Sequence, residues 1–326
     1  MQPGISVIVC CYNSSGRLPE TIKHLLLQKV PAEIPWEIII VDNLSTDDTR
    51  AVAGRTEKEF NLNNVAFKII EHPKAGKNYA FERGAEEAQY EYLLTCDDDN
   101  WLNDDYVRLA FQIMQQNPTI GAAGGDSVAA TDGTIPEWFM QYQYAYAVGK
   151  QADKTGMLVD KKYIWGAGMV IRNSVFKKVF AKQTSIMSCR KGASLSSGGD
   201  AEITMRIILA GYGLYYDESL KLTHFIPRER LTESYRERLL QGFEDTDNVL
   251  GVYESLINIQ RSNFIGNMVL LIFSFARFFI SSVFPNRRWD RKHEARNIFL
   301  IANLSLLPIT DHVKNVKNIY LDIRRG

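Results

Sequence analysis

The chain has 326 residues, with 38 Lys+Arg against 38 Asp+Glu, so its formal net charge is zero. That balance excludes the global basic field that carries nucleic-acid binding, and 45% apolar with 23% charged residues excludes a disordered chain. The length leaves room for two domains, or for one large domain with an appendage.

The N-terminus, Met-Gln-Pro-Gly, has no basic region and no cleavage pattern, so no secretory signal is read there. Cys10, Cys11, Cys96 and Cys189 show no metal-ligand spacing, and three of them fall in apolar segments. A reducing, cytoplasmic compartment is the expectation. Residues 5–10 (ISVIVC) read as a buried strand that ends in the polar turn 12–16. A helix follows, with Leu18, Ile22, Leu25 and Leu26 at helical spacing. Residues 37–41 form a second apolar run, ending in the polar stretch 42–47, and 49–60 reads as a helix. A third strand over 65–70, a helix over 78–89 and a fourth strand over 92–96 complete the series. This alternation predicts βαβ units and a mostly parallel sheet covered on both faces. Ligands bind such sheets beyond the carboxyl ends of the strands. The polar clusters Tyr12-Asn13, Asp42-Asn43 and Asp97-Asp98-Asp99 all fall at those ends.

The aspartate triplet carries the most chemistry. Ionised carboxylates are costly to bury unpaired, and hard cations bind through one or two carboxylates plus substrate phosphates. Side chains alternate along a strand, so Asp97 and Asp99 would share one face and Asp98 the other if the strand continued. The competing reading is a solvated acidic turn before a helix capped by Asn103, Asp104 or Asp105.

From about residue 120 the pattern becomes mixed. Residues 121–128 read as a strand rich in small residues, 138–146 are aromatic-rich, and 164–171 read as a short strand. Gly166-Ala167-Gly168 does not complete a dinucleotide fingerprint, and the chain has no Walker A motif. Residues 183–199 read as a Ser/Gly-rich loop. It runs into Asp200-Ala201-Glu202 and a helix with Ile203, Ile207 and Ile208 on one face.

Taken in order, Ser6 to Asn13 (SVIVCCYN), Ile40 to Asp47 (IVDNLSTD), Lys74 to Asn78 (KAGKN), Asp97 to Asn100 (DDDN) and Gly198-Gly199-Asp200 resemble the family 2 glycosyltransferases of the GT-A fold. The likeness covers roughly residues 3–235. It implies an α/β domain, a divalent metal (Mn²⁺ or Mg²⁺), a nucleotide-diphosphate-sugar donor and transfer with inversion at the anomeric carbon. Position by position, it assigns Cys11, Tyr12 and Asn13 to the nucleoside, with the Tyr12 ring stacking on the base. Asp42 and Asn43 match a base-reading acidic pair, although Asn43 stands where many relatives have Asp. Lys77 matches a basic position beside the phosphates. Asp97 to Asp99 match the DXD element, with Asp98 on the ribose or sugar and Asp99 on the metal. Asp200 matches the catalytic base, its alternative being a helix cap. His224 is a second candidate metal ligand or phosphate contact, against a purely structural histidine. Trp165 and Gly166 are candidates to line the acceptor pocket, against a core tryptophan. Arg230 is left open between phosphate and Glu233.

Beyond residue 235 helices take over, which divides the chain into a catalytic domain (1–235) and a helical extension (236–326). Residues 264–284 are largely apolar, and 21 helical residues span about 31 Å, close to a bilayer core. Arg277 lies inside this run and would cost about 3 kcal/mol at mid-membrane. Arg287, Arg288, Arg291 and Lys292 follow, then a second apolar run over 298–307. The expectation is a peripheral contact with the inner face of the plasma membrane rather than a span, with packing on the catalytic domain or a homodimer as the alternative. The function expected is transfer of one sugar to a hydroxyl of a glycan or lipid-linked glycan, without nucleic-acid partners. The competing classes are a nucleotidyltransferase making nucleotide-sugars, which the loop after the first strand disfavours, and a non-catalytic nucleotide-sugar-binding module at a membrane.

Overall fold

The computed structural model describes residues 1–187, 197–283, 291–302 and 309–325. Cys189, Arg287, Arg288, much of the 183–199 loop and most of the 298–307 run beyond Ala302 lie outside the described residues.

The N-terminal half alternates strands and helices: β1 (Gln2–Cys11), α1 (Leu18–Leu26), β2 (Trp36–Asp42), α2 (Thr49–Phe60), β3 (Ala66–Glu71), α3 (Lys77–Glu87) and β4 (Tyr90–Asp97). The strands pair in parallel in the order β3-β2-β1-β4. Continuous apolar runs make this possible, because a strand covered on both faces has no wet side to leave polar. Val7 and Val9 pack into one apolar layer with α1 and α4 (Tyr106–Gln116), whereas Ile8 packs into the opposite layer with α3. The chain moves outward from β1 to β3 and then returns to the far side of β1 with β4. That reversal opens a crevice between the carboxyl ends of β1 and β4.

The sheet continues through β5 (Asn100–Leu102), β6 (Ile120–Ala130), β7 (Gly156–Leu158), β8 (Val170–Arg172) and β9 (Gly213–Phe225). The described strands form one nine-stranded sheet in the order β3-β2-β1-β4-β8-β6-β9-β5, with β7 paired to β9. Its parallel ladders now include β6 with β9, and the antiparallel pairings fall on the short strands β5, β7 and β8. The strand expected over 164–171 is confined to Val170–Arg172. Gly166 to Met169 form a turn instead, closed by the Met169 N–H donating to the Gly166 carbonyl, with Gly168 at φ +71°.

Between β6 and β7 the aromatic-rich segment forms α5 (Phe139–Tyr142) and a 3₁₀ turn (Gln143–Tyr146). Helix α6 (Asn173–Phe180) follows β8, and α7 (Gly199–Leu209) precedes β9. A second 3₁₀ turn (Arg228–Arg230) leads to α8 (Glu233–Arg261), whose first turn is capped by the Tyr235 N–H donating to Thr232 Oγ1. Helix α8 runs across the boundary expected at residue 235, and its Val249, Val252, Tyr253, Leu256 and Ile257 join the same apolar core as Ile207 and Ile8. Val313, Val316, Ile319 and Ile323 of α11 (Asp311–Arg325) close that core. Helix α9 (Phe264–Val283) packs on α10 (Arg291–Ala302) through Phe278, Ala295 and Ile298. Arg277, inside the apolar run, pairs with Glu294 of α10 at 3.6 Å.

Candidate active site

A cleft of about 1360 Å³ opens at the crevice between β1 and β4. Of the residues singled out in the sequence, all but Asn13 and Asp42 line it. Tyr12 stands on its wall with half of its surface exposed, so its ring is free to stack. Cys11 is buried, and burial followed by the Asp98 charge pushes its thiol well above its ordinary pKa, which gives it a packing role and no nucleophilic one.

Three of the sequence candidates are engaged by their own loops. Asn13 adopts a left-handed conformation and turns away from the cleft: its Oδ1 accepts the Thr46 N–H at 2.8 Å, joining the loop after β1 to the loop after β2. Asp42 is buried at the end of β2, where Oδ1 accepts the Ser45 N–H at 3.1 Å and shapes the turn. Asn43 does reach the cleft, but its amide is fully engaged with backbone. Nδ2 donates to the carbonyls of His72 (3.2 Å) and Lys74 (2.7 Å), while Oδ1 accepts the Gly76 N–H at 2.7 Å. The amide thereby braces the loop that delivers Lys77, with one lone pair of Oδ1 left for a ligand.

The triplet divides because β4 ends at Asp97. Asp97, half-exposed, pairs with Lys77 at the first turn of α3. Asp98 is buried and turns toward α1, where Arg17 NH2 donates to Oδ2 at 2.6 Å and the Ser14 hydroxyl donates to the same oxygen. Asp99 turns toward β9: Oδ1 lies 3.4 Å from His224 Nε2, and Oδ2 lies 2.8 Å from Arg230 NH1. The antiparallel pairing of Asn100 with His224 fixes that approach. Arg230 therefore serves Asp99 rather than Glu233. Burial works against ionising Asp99, but the charges and hydrogen bonds of His224 and Arg230 outweigh it and hold the carboxyl well below the usual carboxylate range. Asp98 moves the other way, raised by burial and by its charged neighbour Asp99.

Asp200 sits in the first turn of α7, behind Gly198 at φ +106°, a conformation that favours glycine. Its Oδ2 accepts the Gly166 N–H at 2.9 Å, and its Oδ1 accepts the Ala201 N–H at 2.9 Å. The Gly166 carbonyl in turn accepts the Thr95 hydroxyl, two residues before the triplet. Gly166 is thus a peptide strut between β4 and Asp200, besides lining the cleft. Trp165 is held by its N–H donating to Gln151 Oε1 at 2.8 Å, with Lys161 Nζ 5.1 Å from its ring. The cleft is also lined by residues that the sequence did not disclose: Tyr144 and Tyr163, with Leu240, Phe243, Glu244 and Asp247 of α8. Arg17 was also missed. The signal was a cation opening the helix after a strand whose neighbour ends in carboxylates.

The profile of glycosyl transferase family 2 matches residues 6–180, more than half of the chain. Poly-beta-1,6-N-acetyl-D-glucosamine synthase of Staphylococcus epidermidis is 23% identical over 252 residues, covering 74% of this chain and 57% of that protein. The chain therefore spans little more than half the length of that relative. Among solved structures, S. aureus TarS 1-349 in complex with UDP is 14% identical and covers 92% of this chain and 71% of its own, with a TM-score of 0.52. The mannosyltransferase PcManGT from Pyrobaculum calidifontis, in complex with GDP-Man and Mn²⁺, is 15% identical and covers 99% and 86%, with a TM-score of 0.53. At such identities these two structures speak for the fold, which is GT-A. The profile match and the sheet order agree, and the chain belongs to glycosyl transferase family 2, with a nucleotide-sugar-dependent glycosyltransferase domain.

Proposed function

We propose that the protein moves one sugar from a nucleotide-diphosphate-sugar donor, with inversion, to a hydroxyl of a glycan or lipid-linked glycan, and that it does so with a divalent metal. The observation that carries this reading is the joint placement of Asp97 to Asp99 and Asp200 on one cleft, with Gly166 bonded to both β4 and Asp200. An inverting displacement needs a donor site and a base on opposite sides of one carbon. Asp200 accepts a proton from the acceptor hydroxyl as that oxygen bonds to the anomeric carbon. The bond from that carbon to the diphosphate breaks, and the diphosphate leaves with the electron pair. Each Asp200 oxygen accepts one backbone N–H and keeps capacity for a substrate hydroxyl.

The donor atoms present suit a divalent cation held partly by the protein. Asp99 offers a hard carboxylate and His224 an imidazole beside it, and His224 Nδ1 is buried with no hydrogen-bond partner among the described residues. No three His, Cys, Asp or Glu side chains converge among the described residues, so phosphate oxygens and water would complete the shell. When bound, the metal offsets the charge that grows on the leaving diphosphate. Arg17 and Lys77, on the other side of the triplet, add fixed positive charge near the phosphates.

The relative's name and the UDP complex make UDP-N-acetylglucosamine the first donor to try. The cytoplasmic face of the membrane is the proposed location, with α9 as the contact. The test is a panel of UDP-, GDP- and dTDP-sugars incubated with the protein and Mn²⁺, read as release of nucleoside diphosphate. Slow hydrolysis of one nucleotide class is expected. Failure to bind or hydrolyse any of them, with or without metal, would contradict the proposal.

A further inference from the structure

Three adjacent carboxylates meet cations from three different elements, yet their pairings are not equivalent. Asp98 is held on Oδ2 by Arg17 and by the Ser14 hydroxyl. Asp99 has a partner on each oxygen, the His224 imidazole beside Oδ1 and the Arg230 guanidinium on Oδ2. A buried carboxylate stripped of its counter-charge is strongly unfavourable. Asp98 without Arg17 would be in that position. Asp99 without Arg230 would still face His224, and a divalent cation at the same carboxylate would more than replace the lost charge. Arg230 is therefore the partner that can be exchanged.

Its position suits exchange. Arg230 ends the 3₁₀ turn between β9 and α8, where its backbone carbonyl accepts the Tyr146 hydroxyl at 3.0 Å, and its side chain is half-buried at the cleft wall. The backbone is tethered while the guanidinium reaches inward on a long, flexible stem. A half-buried guanidinium leaving Asp99 needs another anion, and the donor's phosphates are the anion this cleft is built to take.

We propose that Arg230 is a removable counter-charge, which neutralises Asp99 before the donor binds, yields Oδ2 to the divalent cation and passes its guanidinium to the donor's diphosphate. This rests on the metal-and-diphosphate reading given above. It has a thermodynamic consequence. Metal alone must break the 2.8 Å ion pair and leave Arg230 without a counter-ion, and diphosphate alone finds Arg230 already engaged. Together, each releases what the other needs, so the two bind cooperatively, and the coupling is reciprocal.

The test is calorimetry of Mn²⁺ with and without UDP, and of UDP at saturating Mn²⁺, on the wild type, Arg230→Gln and Arg230→Lys. In the wild type, UDP is expected to tighten Mn²⁺ binding by about 100-fold, the upper range of ordinary coupling. In Arg230→Gln, Mn²⁺ alone binds roughly 10-fold tighter and UDP at saturating Mn²⁺ roughly 10-fold weaker, so the coupling shrinks. Arg230→Lys shifts both affinities the same way by less, and it carries the test if the Gln variant does not fold. Mn²⁺ affinity unchanged or weakened by the substitution, or UDP affinity unchanged, overturns the proposal. If neither Mn²⁺ nor UDP binds the wild type, the donor-site reading falls along with it.

Discussion

Glu202 and Arg206, one helical turn apart on α7, are both fully buried and meet at 2.6 Å. Arg206 also donates to the carbonyls of Val179, Gln183 and Thr184, and the Tyr253 hydroxyl donates to Glu202 Oε1 at 2.9 Å. Ser185 bridges Glu202 to Asn78, the neighbour of Lys77. One charged pair thereby ties α7 to α8 and to the start of α3. Removing one partner of such a pair leaves an uncompensated buried charge. Arg206→Ala is expected to cost about 3–5 kcal/mol in urea unfolding, whereas Tyr253→Phe costs about 1 kcal/mol. A loss under 1 kcal/mol in Arg206→Ala would show that the network does not hold these elements together. At this scale the sequence was legible where a residue's role follows from its own chemistry and its place at a strand end. Asp97 to Asp99 and Tyr12 were singled out that way and Lys77 by the family resemblance, and all of them reach the cleft. The loop contacts of Asn13, Asp42 and Asn43 were not legible, because their partners, Thr46, Ser45 and the backbone of residues 72–76, are set by how loops meet. Arg17 was not legible because its partner, Asp98, lies 81 residues away and is brought to it only by the fold.

Among the elements, the strands and helices of the first 116 residues follow from continuous apolar runs punctuated by polar turns. The segment 164–171 misled for the opposite reason. Its apolar content suits a strand, but the glycines close a turn that presents the Gly166 peptide to Asp200. Helix α9 was legible as an apolar helix, and the structure adds which side is covered. Its Phe278 packs on α10, while Ile265, Val269, Ile272, Phe273 and Phe279 remain exposed. Arg277 is answered by Glu294, so its charge is compensated within the helix pair. A helix apolar on one exposed face and packed on the other suits shallow insertion at a lipid surface. The protein is expected to float with vesicles of phosphatidylethanolamine and phosphatidylglycerol, and the double substitution Ile272→Asp with Phe273→Asp is expected to release it without lowering its melting temperature. Equal flotation of both proteins would refute the contact. A shift from dimer to monomer in the variant, with no flotation of either, would assign the face to a second copy.

Over the whole molecule, the order β3-β2-β1-β4 puts a crevice where the strand direction of travel reverses, and the mixed half of the sheet then brings β9 and α7 to its far side. The proposed donor-binding residues come mostly from the first half and the proposed base from the second. Helix α8 does more than extend the chain, since it walls the cleft and fills the core at Tyr253. In the proposed reaction Asp200 acts on the acceptor while the donor is held elsewhere in the cleft. Asp200→Asn tests it most directly, because an amide oxygen can still accept the Gly166 N–H while losing the capacity to take a proton. With the donor identified from the panel, sugar transfer by this variant is expected to fall by about 10³-fold or more, with UDP affinity in the presence of Mn²⁺ unchanged in calorimetry. Transfer near the wild-type rate, or loss of UDP binding in parallel with activity, would contradict the assignment.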